Sequence, residues 1–339
     1  MSDIRSSRVR RTNPSRSVAM RRVAVVILGL LLLVPVGGAL LQIAAATYDR
    51  MTVRPPGNIV NIAGAGLHVY CSGPEDAPPV FLETGMGVVS DAWSRVHQDL
   101  AKDHRVCRYD RAGTGHSDPF DGAKDAGAAA DRLAALADAI GIDGPMIIAG
   151  HSYGGLVARV FTHRYPERVA ALVLVDSAHE EMGELLPPLG REMVEDILGA
   201  FDTLRLMNRF GVLRIVGAPA PWMDGLDNEA RERAAAVYAS VSHMRAVAEE
   251  AAGWRDGTST ELAQAIDSLG DLPMTVLVAG HYPEELVEPW RALQQDLAGL
   301  SARGRLVFVP EADHFGLVQR AAHALRVAAE IRAISASAE

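Results

Sequence analysis

The chain has 339 residues, enough for one large domain or two small ones, and 49% of them are apolar, so a substantial core is available. The net charge of −9 is unevenly spread: the first 22 residues carry seven arginines and one aspartate, which leaves the remainder near −15. A folded part that acidic is a poor match for nucleic acid.

The basic segment 1–22 leads into residues 23–46, VAVVILGLLLLVPVGGALLQIAAA, an uncharged run in which Gln42 is the one strongly polar side chain. At ~1.5 Å per residue a helix of this length covers a ~30 Å hydrocarbon core. The arginines before it should stay on the cytoplasmic side, which makes the rest extracytoplasmic. The run therefore reads as a transmembrane anchor. A cleaved signal sequence is the alternative, with Pro35, Gly37 and Gly38 breaking its apolar region and the alanines at 44–46 suiting a peptidase; the rest of the chain would then be secreted. Residues 47–57, with Pro55, Pro56 and Gly57, read as a linker.

Strand-like runs follow at 58–62, 67–71, 79–83, 105–109, 145–149, 170–175, 273–279 and 305–310. Helical patterns lie at 125–140, 153–164, 288–299 and 316–334. The later strands are continuous apolar runs, as in a parallel sheet covered on both faces, and the alternation implies an α/β layered fold. The rhythm breaks between 177 and 270, which reads as helices punctuated by Pro187, Pro188, Pro219 and Pro221 and holds five of the eleven methionines. We read this interval as a cap over a core formed by 58–176 and 271–339. Its apolar, methionine-rich walls can adapt to varied ligands, although a plain helical insertion needs such residues too.

The stretch Gly150-His151-Ser152-Tyr153-Gly154 joins a strand to a helix. A sharp strand-to-helix turn crowds the backbone, and glycines two residues to either side relieve it. The serine hydroxyl then stands out at the strand's C-terminal end. A seryl hydroxyl needs a base. Of eleven histidines, His314 sits in a loop between the last strand and the final helix, at the same sheet edge as Ser152; His116 and His281 are candidates for the pocket wall. The base needs a carboxylate. Asp176 ends the strand ALVLVD, while Glu284 and Glu285 follow the next strand in a stretch resembling a helix start. The short, strand-end Asp176 is preferred. Oxyanion donors are expected from the backbone N–H groups of Tyr153 and of Met86, in the loop ETGMG at 83–87.

Together LETGMG, YDRAGTGHSDP, GHSYGG, LVLVDSAH and ADHF resemble the α/β-hydrolase superfamily over about residues 58–334, and the order Ser152, Asp176, His314 matches its nucleophile–acid–base order. The resemblance implies an eight-stranded, mostly parallel sheet flanked by helices, an antiparallel second strand and a helical cap after strand 6. The family's usual His-Gly of the oxyanion loop is Thr84-Gly85 here, and its usual aspartate after the seventh strand is absent, which again points to Asp176. Asp110 and Arg111 fall in a loop that frames the family's site and read as structural. Cys71 and Cys107 would lie on neighbouring strands, which permits a disulfide; two buried thiols are the simpler alternative.

No zinc, dinucleotide or Walker motif is present, and no cofactor or metal is expected. The expected activity is acyl-enzyme hydrolysis of an ester or similar small-molecule acyl substrate. An iminopeptidase-like aminopeptidase, with Glu180, Glu181 or Glu184 binding an amine, and a non-catalytic ligand-binding protein on the same fold are the alternatives.

Overall fold

The computed structural model describes residues 14–338; thirteen residues of the basic segment expected at 1–22 lie outside the described residues. The chain starts with a 39-residue helix, α1 (Pro14–Thr52), which continues through Pro35. It also runs through 47–52, the first half of the expected linker. The helix ends where Pro55 and Pro56 remove donors and bias the preceding backbone away from the helical region.

The core sheet is built from β1 (Asn58–Ile62), β2 (Ala65–Ser72), β3 (Pro79–Glu83), β4 (Arg105–Tyr109), β5 (Met146–His151), β6 (Val169–Val175), β7 (Met274–Ala279) and β8 (Gly304–Val309). Their order is β1-β2-β4-β3-β5-β6-β7-β8. β2 runs antiparallel to both neighbours, and the pairs from β4 to β8 are parallel. Every residue of β5 and β7 is buried, the physical meaning of their unbroken apolar runs. Pleating sends alternate side chains to opposite faces. Met146 and Ile148 join one core, Ile147 and Ala149 the other.

The first core is closed by α3 (Ala126–Ala139) and α4 (Tyr153–Arg164), the second by α2 (Ser94–Leu100) and α14 (Ala321–Ala338). α3 is alanine-rich, and the Asp125 carboxylate caps it by accepting from Ala128 N at 2.9 Å. α2 is a difference from the sequence reading: SRVHQDL is too short and too polar to show a helical period, and it is held by burial of Val96 and Leu100. The final helical pattern is split at Arg320 into α13 (Gly316–Gln319) and α14.

Between β6 and β7 lie α5 (Met182–Leu185), α6 (Pro188–Asn208), α7 (Val212–Val216), α8 (Ala220–Met223), α9 (Asn228–Tyr238), α10 (Val241–Arg255) and α11 (Thr260–Gln264). Prolines open α6 and α8, and the side chains of Asp227 and Ser240 cap α9 and α10. After β7, α12 (Glu284–Gly299) starts four residues earlier than the apolar pattern indicates, with Glu284 and Glu285 in its first turn. Cys71 and Cys107 face each other across β2 and β4 and are joined by a disulfide.

Candidate active site

Ser152 sits between β5 and α4 with φ 55° and ψ −126°. A non-glycine residue is costly there, and the surrounding contacts over-determine it. Its N–H donates to Val175 O at 3.2 Å, and its carbonyl accepts from Gly155 N and Ala178 N, each at 2.9 Å. The flanking glycines are required by close approach. A Cβ at Gly150 would lie 2.5 Å from Gly154 O, and one at Gly154 would lie 2.5 Å from Glu83 O.

Asp176, next after β6, also has positive φ, 46°. Its Oδ2 accepts from His314 Nδ1 at 2.6 Å and from the Tyr282 hydroxyl, and its Oδ1 accepts from Trp290 Nε1 at 2.8 Å and Ala279 N at 3.0 Å. Burial pushes this carboxyl up. The His314 hydrogen bond and charge, with the Trp290 and Tyr282 donors, outweigh burial and hold it below the usual aspartate value. Because the carboxylate accepts at Nδ1, the His314 proton belongs there, and Nε2 is left free to act as a base. Glu284 and Glu285 are exposed on α12.

His151 donates from Nε2 to the His314 carbonyl at 2.9 Å, and the two rings stand 4.5 Å apart. Burial, then the charge of His314, lowers the His151 imidazole to about 3, so it stays neutral. Its hold on the His314 backbone has no signal in the sequence, and neither do the Tyr282 and Trp290 donors.

The loop after β3 runs against the serine: a Cβ on Gly85 would sit 3.1 Å from Ser152 Cβ. The N–H groups of Met86 and Tyr153 donate to no protein acceptor among the described residues. A buried cluster holds this loop. Arg111 donates to Glu83 Oε1 and Thr84 O, both at 2.6 Å, and to the two Glu250 oxygens on α10 at 2.7 and 2.9 Å, while Tyr109 donates to Glu83. Burial raises Glu83 despite the opposing Arg111 charge. Asp110 binds His68 at 2.9 Å and the N–H of Ser90 at 2.8 Å.

Ser152, Tyr153, Met86, Tyr282 and His314 line one cavity of about 420 Å³, whose other walls are almost wholly apolar, among them Met193, Ile197, Phe201, Trp222 and Trp254 from the 177–270 interval. No hydrogen bond joins the Ser152 side chain to His314 among the described residues. Such contacts commonly tighten only when substrate is bound. His116 lies against Asp91 at 3.3 Å and His281 is exposed; neither lines the cavity, against the sequence expectation. Among the described residues no cluster of side chains suits a metal ion.

A mostly parallel eight-stranded sheet bearing a positive-φ serine at a strand-to-helix turn is the architecture of an α/β hydrolase. Residues 78–209 match a family model described as the alpha/beta hydrolase fold. The chain is 30% identical over 269 residues to a putative carbamate hydrolase, RutD, of Variovorax paradoxus, an alignment covering 76% of this chain and 92% of that one. It is 35% identical over 138 residues to Lipase LipV of Mycobacterium tuberculosis, covering 41% of this chain. The chain spans half or less of the length of several curated relatives, 50% in the case of LipV. The structure of a thermophilic esterase from Thermogutta terrifontis superposes with a TM-score of 0.59 at 22% identity, covering 84% of this chain and 98% of the esterase. The chain belongs to the α/β-hydrolase fold family.

Proposed function

We propose that this chain is a membrane-tethered serine hydrolase acting on esters or similar acyl compounds of low polarity. The observation that carries the reading is the convergence, on one cavity, of a serine held at positive φ and a histidine whose Nδ1 is bonded to a buried carboxylate. Ser152 Oγ attacks the acyl carbon and His314 Nε2 takes its proton. Asp176 holds His314 in the required tautomer and stabilises the imidazolium. The Met86 and Tyr153 amides bind the developing oxyanion. The leaving alcohol departs with the proton from His314. Water, deprotonated by the same imidazole, then releases the acid and restores the serine.

The apolar walls favour acyl substrates over amines. Glu180, Glu181 and Glu184 do not line the cavity, and Glu180 is engaged by Arg159 at 2.6 Å, which weighs against the aminopeptidase alternative. The tether is α1, a helix long and apolar enough to cross a membrane. With the arginines before it on the cytoplasmic side, the cavity lies outside the cytoplasm. A fluorophosphonate probe tests the nucleophile: the unaltered chain should label and Ser152→Ala should not. Equal labelling of both would remove Ser152 from the mechanism.

A further inference from the structure

The surface of the 177–270 interval beside α1 is apolar where a solvent-facing surface carries charge. On α6, Leu189, Met193, Ile197, Ala200, Leu204 and Met207 recur at intervals of four, four, three, four and three residues, which places them in one stripe. This is not the helix's buried face, which is Gly190, Leu198, Phe201 and Asn208. Ile197 is 55% exposed and yet lines the cavity, so the stripe forms part of the cavity's rim. The patch continues through Phe210 to Ile215 and Val216 on α7, which are 73% and 70% exposed. Patches of this extent mark interaction sites.

α1 lands on the same patch. Gly38 packs so closely that a Cβ there would sit 2.5 Å from Phe210 O. Gln42 is buried, donating to Ala239 O and accepting from Arg214 Nε, each at 2.7 Å, and Arg214 also binds Asp49 at 2.7 Å. These contacts set a depth. Gly38 lies eight residues before Ala46, the end of the uncharged run, or about 12 Å along the helix. Phe210 and α7 are therefore level with the last turns of the apolar part of α1. Of the three arginines in residues 203–217, TLRLMNRFGVLRIVG, Arg214 is taken by Asp49 and Gln42, which leaves Arg205 and Arg209 to meet lipid phosphates at the rim of an inserted apolar patch.

We propose that the rim formed by Ile197, Met207, Phe210, Ile215 and Val216 is immersed in the acyl-chain region of the leaflet that holds α1, and that the cavity takes the acyl chain of a membrane-resident ester directly from that leaflet. The ester rests on the hydrolase reading above; the immersed surface does not.

The test uses the full chain in phosphatidylcholine vesicles, with and without bromine on the acyl chains. The indole introduced by Ile215→Trp should add emission, relative to the unaltered chain, that brominated lipid quenches. The double variant Ile215→Glu/Val216→Glu should hydrolyse a long-chain ester embedded in the vesicle about tenfold more slowly, because charge drives the rim out of the lipid, while a short water-soluble ester is turned over as before. An unquenched indole, as when a second copy of the chain covers this face, overturns the proposal. So does a double variant that loses neither activity or loses both equally. A chain that hydrolyses neither ester refutes the hydrolase reading instead, and the quenching alone then decides the surface.

Discussion

Asp176 makes four hydrogen bonds, and the two that are not from the backbone or His314 come from Tyr282 and Trp290, in and before α12. Each donor favours the charged carboxylate over the neutral acid, which is how a fully buried group stays ionised. An amide in its place would present a donor to Nδ1 and reverse the tautomer of His314. Asp176→Asn should therefore lower kcat on a p-nitrophenyl ester by about 10⁴-fold, while Glu284→Gln and Glu285→Gln should leave it unchanged. Steady-state kinetics on the three variants decides the matter, and loss confined to a glutamate variant would displace Asp176. Asp176 and Ser152 share a second property: both are non-glycine residues at positive φ, positions where L-residues are uncommon and strain is stored.

At the scale of elements, the loop after β3 and the helix α10 are held together through Arg111. Its guanidinium is 4% exposed and bridges Glu83 at the end of β3 to Glu250 on α10. The pair of carboxylates is tolerable in the interior only while that cation is present. Arg111→Met leaves both uncompensated and should cost about 3–5 kcal/mol of unfolding free energy. The exposed pair of Arg245 and Asp121 offers a control, and Arg245→Met should cost less than about 1 kcal/mol. Denaturant titration in detergent would show the contrast; near-equal losses would mean that the buried bridge is not what joins cap to core. The Arg111 bridge also explains why Met86 and Gly85 keep their place beside the serine, since Arg111 donates to Gly85 O at 3.3 Å as well as to Thr84 O.

For the whole molecule, buried imidazoles set the response to acid. Burial, aided by nearby positive charge, lowers His97 and His151 to about 3, and burial lowers His243 to about 4. In the unfolded chain all three titrate near the ordinary value of 6.5. Between that pH and about 4 the unfolded chain binds protons that the folded chain refuses, so stability rises with pH there and is lost on acidification. Each histidine contributes a slope of about 1.4 kcal/mol per pH unit. His68 works in the opposite sense: burial lowers it, but the hydrogen bond and charge of Asp110 prevail and raise it, so its contribution is present below 6.5 and lost as pH rises through the folded value. Because His68 acts above pH 6.5, it does not offset the other three below it; the melting temperature should fall steadily from pH 6.5 to 4, and His243→Gln should make that slope shallower by about one proton. A melting temperature flat across this range would contradict the assignment of neutral buried imidazoles.

The strands, α4 and the serine turn were legible because their causes are local. Continuous apolar runs, flanking glycines and the abrupt change from an apolar run to a helix-forming pattern are all written within a few residues of one another. The role of His314 was legible from its place between the last strand and the final helix, whereas the expectation that His116 and His281 line the pocket was not met. The preference for Asp176 over Glu284 and Glu285 was legible too, from its place at a strand end; the donors Tyr282 and Trp290 and the hold of His151 on the His314 backbone were not, and they join residues up to 163 positions apart. No local pattern encodes such a distance, because those contacts exist only after the sheet has stacked its strand ends along one edge. The same holds for α1. Its length and apolarity are properties of the sequence, but its docking on Phe210, Ala239 and Arg214 is decided by the shape of the folded cap.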